Sequence, residues 1–191
     1  MRKSNIGIDL DGVICDLYSI TRPLFKELHG VEVTDEVYDI EKETGLTKRQ
    51  VAEVFAEAGH RGMYRDAKVY AQTRSALVNI SRQYNIFYVT VRDFYPQIRK
   101  DTFYWLDKNK LPYFRVAFSR SKYKIAEKED FQFFLDDSVD ICNRVAKTQS
   151  PTYLFRRPWN NRFINHRCLD PQVKIVSDWR EIEKILLVER S

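Results

Sequence analysis

Short runs rich in branched and aromatic residues recur along this chain, at residues 5–8, 86–89, 115–118, 131–135, 152–155 and 173–176. Each has the length and near-continuous apolarity of a strand buried on both faces. Between them apolar positions return at helical spacing: Leu77, Ile80 and Tyr84; Ile98, Thr102, Trp105 and Leu106; Val139, Cys142 and Val145. Asp178 with Glu181 reads as a capping box for a last helix whose apolar face is Ile182, Ile185 and Leu186. Strands that alternate with helices in this way predict an α/β protein, with a Rossmann-like, mostly parallel sheet and helices on both faces.

Residues 17–71 break that rhythm. They hold helical patterns without an obvious strand, including a capping box of Thr47 and Gln50 followed by Val51, Val54, Phe55 and Ala58 on one stripe. The expected organisation is therefore a core of residues 1–16 and 72–191 with a small helical cap, residues 17–71, inserted after the first strand. An insertion at that point sits over the crevice where open α/β sheets bind ligands.

Composition narrows the partners. The 191 residues are 43% hydrophobic and 31% charged without low-complexity tracts, as in an ordinary globule. The net charge of +5 suits anionic ligands but is spread along the chain, so no nucleic-acid polymer is expected. The 11 Tyr and 12 Phe fall mostly at strand and helix spacings and are read as core. Cys15, Cys142 and Cys168 are far apart and form no C-x-x-C pair, which predicts reduced thiols and a cytoplasmic protein. Met1 to Ser4 lead straight into Ile6-Gly7-Ile8-Asp9, too short and too soon acidic for a signal peptide, and no apolar run suits a membrane helix.

The chemistry concentrates at the strand ends. Asp9-Leu10-Asp11-Gly12-Val13 follows the first strand, so both carboxylates project to one side and Gly12 permits a sharp turn. At about 4 Å two such charges repel by roughly 4 kcal/mol at an effective dielectric near 20. A shielded pair therefore demands a cation or a proton. Phe133-Phe134-Leu135-Asp136-Asp137 repeats the pattern, with Asp140 beyond it. The plain alternative, that Asp136 and Asp137 only cap the helix near Ser138, does not account for both pairs. Four carboxylates at two strand ends make an oxygen-rich site suited to Mg2+. Between the pairs, Thr90 ends the second strand, Arg92 lies two residues on, and Lys122 precedes a short helix. A hydroxyl and fixed cations complement a transferring phosphoryl group.

The order D-x-D-G-V, Thr, Lys, D-D over Asp9 to Asp140 resembles the four motifs of the haloacid dehalogenase superfamily of phosphatases. Asp9 to Asp16, Thr90-Val91-Arg92, the run from Thr102 to Leu106, Lys122 to Ala126 and the run from Tyr153 to Asn160 extend the resemblance to its 5′-nucleotidase and deoxyribonucleotidase-like branch. The resemblance implies a Mg2+-dependent phosphomonoesterase acting on a small phosphorylated substrate such as a 5′-nucleotide or deoxynucleotide. Asp9 would be the nucleophile, and Asp11 would protonate the leaving oxygen and then activate water. Asp9, the backbone carbonyl of Asp11 and Asp137 would hold the metal, with Asp136 acting directly or through water. Thr90 and Lys122 would grip the phosphoryl oxygens, with Arg92 beside them. A dehalogenase would need neither Mg2+ nor Asp11, and a non-catalytic binding module would be expected to have lost a motif residue.

Position in the cap makes Tyr38, Met63 and Tyr64 candidate contacts to the leaving group, whereas Phe55 reads as packing within the cap. Asp16 has an equally good reading as a turn residue. Arg156, Arg157 and Asn160 lie near a later strand's end and could approach the site's rim, with a solvated surface the favoured expectation. His29, His60 and His166 have no metal-ligand spacing.

Overall fold

The computed structural model describes residues 3–92, 95–166 and 168–187. Its strands in chain order are β1 (Ser4–Ile8), β2 (Cys15–Asp16), β3 (Lys68–Val69), β4 (Tyr84–Thr90), β5 (Arg115–Phe118), β6 (Phe134–Asp136), β7 (Thr152–Phe155) and β8 (Lys174–Val176). Its α-helices are α1 (Tyr18–His29), α2 (Ile40–Thr44), α3 (Lys48–His60), α4 (Thr73–Ile80), α5 (Pro96–Lys108), α6 (Lys122–Glu129), α7 (Val139–Ala146), α8 (Asn161–Asn165) and α9 (Trp179–Leu187).

The main sheet has the order β5-β4-β1-β6-β7-β8, and every pairing in it is parallel. Alternation along the strands builds a core on each face. Ile86 and Tyr88 join Leu77, Ile80, Trp105 and Ile182 on one side, while Phe87, Val89 and Phe134 pack with Ala126 and Val145 on the other. Gly7 makes the second face possible, because a Cβ there would stand 2.4 Å from the ring of Phe131. The winding reverses between β1 and β6, and that switch point leaves a crevice at the strands' C-terminal ends.

Two expectations shift. Tyr84, read as the end of a helix, opens β4 instead; its hydroxyl donates to the carbonyl of Leu186 at 3.0 Å and ties the strand to α9. The run expected at residues 131–135 becomes β6, which starts only at Phe134 and runs on to Asp136, so the first acidic residue still belongs to the ladder.

The insertion carries α1, α2 and α3. Residues 17–71 also carry β3, a strand that their sequence did not suggest, which pairs antiparallel with β2 just ahead of them, Val69 opposite Cys15 and Lys68 opposite Asp16. Two-residue strands are too short to show a period. The capping box of α3 forms as expected, Gln50 N donating to Thr47 Oγ1 at 3.3 Å and Thr47 N to Gln50 Oε1 at 3.0 Å. The insertion is fastened to α5 by Arg65 donating to Asp101 Oδ1 at 2.7 Å and by the Trp105 indole donating to the carbonyl of Ala67 at 2.7 Å. Arg162 Nη1 donates to Glu43 Oε2 at 2.9 Å and so joins α2 to α8.

Candidate active site

The loop that carries Asp9 and Asp11 is set by β1 and one glycine. Asp9 N donates to the carbonyl of Leu135 at 2.9 Å, which carries the carboxylate just beyond the sheet, beside the end of β6. Gly12 then turns the chain at φ 79°, a conformation that strains any residue with a Cβ. Its second reason to be glycine is proximity: a Cβ would lie 2.3 Å from Asp137 Oδ2.

Asp9, Asp136 and Asp137 are all buried, and one carboxylate oxygen from each lies within 4.8 Å of the others. Lys122, only 3% exposed, places Nζ 2.8 Å from Asp9 Oδ2 and 2.8 Å from Asp136 Oδ2. Burial works to lower the pKa of Lys122, yet Asp136 and then Asp9 outweigh it and hold the ammonium above an ordinary lysine. Burial raises Asp9 well above the carboxylate range; Lys122 opposes that rise, and Asp136, Asp137 and Asp11 add to it. Burial and then Asp136 push Asp137 up to about 7, against Lys122 and an indole hydrogen bond. Three carboxylates facing one ammonium form an all-oxygen donor set with negative charge in excess, which fits a hard divalent cation. Asp136 is fixed further by Ser138 N, which donates to Oδ1 at 2.9 Å. The cap of α7 is Ser138 itself, whose hydroxyl accepts from Ile141 N at 3.4 Å, so the two acidic residues are not spent on capping.

Asp11 takes a separate position. Its carboxylate lies outside the three-carboxylate group and accepts from Arg92 Nε, at 2.9 Å on Oδ2 and 3.1 Å on Oδ1. Arg92, 1% exposed, stands on the wall of the cavity that Asp9 and Lys122 also line, its guanidinium held over the rings of Tyr64 at 5.2 Å and Trp105 at 5.1 Å and ion-paired to Asp11. Thr90 is fully buried at the end of β4, and its hydroxyl accepts from Arg92 N at 3.3 Å. Asp16 serves the turn, accepting from Ser19 N at 3.0 Å. His29 Nε2 lies 3.2 Å from the carbonyl of Gln50, and His60 and His166 are exposed.

Sequence reading underrated the segment after β7. Arg156 is exposed as expected, but Asn160 is fully buried and Arg157 half-buried. Arg157 donates to the carbonyl of Gly12, Asn160 Nδ2 to the carbonyl of Asp137 at 2.9 Å, and the Trp159 indole to Asp137 Oδ2 at 2.8 Å. The signal was available in part: a polar run closing a buried strand next to the acidic one sits on the same edge of a parallel sheet.

Two cavities share Tyr18, Phe55, Asp137 and Ser138 on their walls. The inner one, about 300 Å³, is lined by Asp9, Asp11, Lys122, Asp136, Asp137, Arg92 and Tyr64. The outer one, about 340 Å³, is lined by Tyr18, Arg22, Val33, Val37, Tyr38, Phe55 and Trp159 among others. Tyr38 reaches across to the core, its hydroxyl 3.2 Å from Ser138 Oγ. Phe55 packs edge-on to Phe25 at 6.1 Å as cap core and also faces both cavities. Met63 lines neither; it packs on the main core.

A parallel sheet whose switch point is flanked by two acidic strand ends, Asp9 after β1 and Asp136 and Asp137 at β6, is the fold of haloacid dehalogenase-like hydrolases. Solved structures agree in fold: a haloacid dehalogenase-like family protein from Streptococcus pneumoniae (TM-score 0.65, 16% identity, 94% of this chain and 96% of that one). A predicted phosphoglycolate phosphatase from Haemophilus somnus 129pt has TM-score 0.61 at 16% identity, over 97% of this chain and 98% of that one. A nucleotidase of Clostridium acetobutylicum is 25% identical over an alignment 174 positions long that covers 86% of this chain and 88% of the relative. Residues 3–191 match the model of the family described as 5′ nucleotidase, deoxy (Pyrimidine), cytosolic type C protein. The chain belongs to that family and is a hydrolase of the phosphatase and nucleotidase kind.

Proposed function

We propose that the protein is a Mg2+-dependent phosphomonoesterase that forms an aspartyl-phosphate on Asp9, acting in the cytoplasm on a small phosphorylated metabolite such as a 5′-nucleotide or deoxynucleotide. The observation that carries this reading is the buried convergence of Asp9, Lys122, Asp136 and Asp137 at the switch point, at the floor of a cleft with an aromatic outer chamber. Free cysteines throughout and the family's description suit the cytoplasm. No helix among the described residues is long and apolar enough to cross a membrane.

Asp9, Asp136 and Asp137, with the carbonyl of Asp11, would hold the ion, which when bound supplies charge neutralisation for the reacting oxygens. Asp9 attacks phosphorus in line, and the bond to the leaving oxygen breaks. Lys122, on the wall of the inner cavity, binds phosphoryl oxygens, and Thr90, fully buried at the end of β4, is the second phosphoryl contact in this reading. Asp11 gives the leaving oxygen its proton, then takes one from the water that cleaves the acyl phosphate. Arg92 fixes the carboxylate of Asp11 in one orientation between those steps.

A phosphatase screen over nucleotides, sugar phosphates and phosphorylated cofactors, with and without Mg2+, tests the assignment. Activity on at least one phosphomonoester that vanishes in excess chelator and returns with Mg2+ is expected; full turnover of p-nitrophenyl phosphate in chelator overturns the metal dependence.

We also propose that residues 17–71 act as a cap that reads the leaving group. Tyr38 lines the outer chamber, and one stacked base is worth roughly 1–3 kcal/mol, or about tenfold and more in substrate preference. Tyr38→Ala is expected to lower kcat/KM on a nucleotide about tenfold more than on a small aryl phosphate. Tyr64→Ala, which strips a ring from the Arg92 guanidinium, should weaken both substrates together, and Met63→Ala should change neither. Equal losses for Tyr38→Ala on both substrates would remove the cap-based support for a nucleotide.

A further inference from the structure

The segment at residues 157–160 lies outside the four motifs, yet it grips Asp137 by both main chain and side chain. Asn160 is fully buried; its amide donates to the carbonyls of Asp137 and Phe155, each at 2.9 Å, while its Oδ1 accepts from Arg157 N at 2.9 Å. That brace fixes where the end of β6 stands relative to the end of β7. The Trp159 indole, 8% exposed, then donates to Asp137 Oδ2 at 2.8 Å. Its ring is held in turn by Tyr18, edge-on at 5.1 Å, and by the Arg22 guanidinium at 5.8 Å. The nucleophile loop closes the other side, leaving no room for a Cβ on Gly12 against either Asp137 or Trp159.

We propose that Trp159 is the metal-positioning residue of this site: its N–H fixes the carboxylate of Asp137 facing Asp9 and Asp136, so the cation meets a preformed cradle. This rests on the Mg2+ reading above. The physical reason is preorganisation. A carboxylate with one oxygen tied to an indole keeps the other for an ion and has lost its rotational freedom before the ion arrives. Groups that orient metal ligands in this way are typically worth about 10–100-fold in metal affinity. A tryptophan present only to fill space would contribute nothing through its nitrogen.

The test is isothermal titration calorimetry of Mg2+ into the metal-free, full-length protein. It compares wild type with Trp159→Phe, and with a chain in which Trp159 alone is replaced by β-(3-benzothienyl)alanine, which exchanges the N–H for sulfur at nearly constant shape. The expected result is Mg2+ binding weakened about 10–100-fold in both replacements, with the metal-free melting temperature of the benzothienyl protein equal to wild type. If Trp159→Phe does not fold, the benzothienyl protein decides. A benzothienyl protein that binds Mg2+ as tightly as wild type overturns the proposal while leaving the metal site intact. Wild type that binds no Mg2+ overturns both the metal reading and the positioning role.

Discussion

Asp9→Asn is expected to lower phosphomonoester turnover by about 10⁴-fold or more, the scale seen when a covalent nucleophile is removed. Asn matches Asp in shape but carries no charge to attack phosphorus. The substitution should not cost the fold its stability. Burial lifts Asp9 well above the carboxylate range even with Lys122 opposing, so the ionised form is the unfavourable one in the metal-free protein. A folded-state pKa above the unfolded value means that the folded chain binds the extra proton, and stability falls as pH rises through that interval. A neutral Asn removes this penalty, so the metal-free variant should melt at or above the wild-type temperature at neutral pH. Steady-state assays on p-nitrophenyl phosphate, thermal melts and trapping of phosphate on the denatured protein check the three parts. Phosphate trapped on another residue, or an Asn variant that still turns over, sinks the assignment of the nucleophile.

Lys122→Ala should cost about 10³-fold or more in turnover, while Lys124→Ala should leave activity near wild type. Both lysines open α6, yet only Lys122 is buried, with its ammonium between Asp9 and Asp136, whereas Lys124 is exposed. Removing that ammonium leaves three buried carboxylates facing one another, a loss of the kind that destabilises by roughly 3–5 kcal/mol when one partner of a buried ion pair is deleted. Lys122→Ala should therefore also melt earlier in metal-free buffer, and Mg2+ should recover part of that loss by binding the folded state. Kinetics at saturating Mg2+ paired with melts at several Mg2+ concentrations separate the two effects. A Lys124→Ala protein more damaged than Lys122→Ala would shift the assignment by two residues.

Local pattern carried much of this protein. The near-continuous apolar runs marked β4, β6 and β7, buried along almost their whole length, because a strand covered on both faces leaves little polar pattern to blur the signal. Three of the apolar runs pointed to the candidate site, because each is followed or closed by a polar residue at the same edge of the sheet: Asp9 after Ile8, Thr90 after Val89, Asp136 after Leu135. Stripes at helical spacing found α3 and α7 for a similar reason.

What escaped the sequence depends on distance along the chain. The pairing of β2 with β3 joins residues more than fifty positions apart through two-residue strands, too short for any period. That Arg92 would ion-pair with Asp11 was decided by Tyr64 and Trp105, whose rings hold its guanidinium in place from residues far apart in the chain. That Trp159 and Asn160 would hold Asp137 was decided by strand order, which lays β7 beside β6. Burial and periodicity are local, so the chain's own pattern was enough to place Asp9, Thr90 and Asp136 at strand ends. Which of them touch was settled only by tertiary structure, because a hydrogen bond or an ion pair depends on separations that no spacing in the chain encodes.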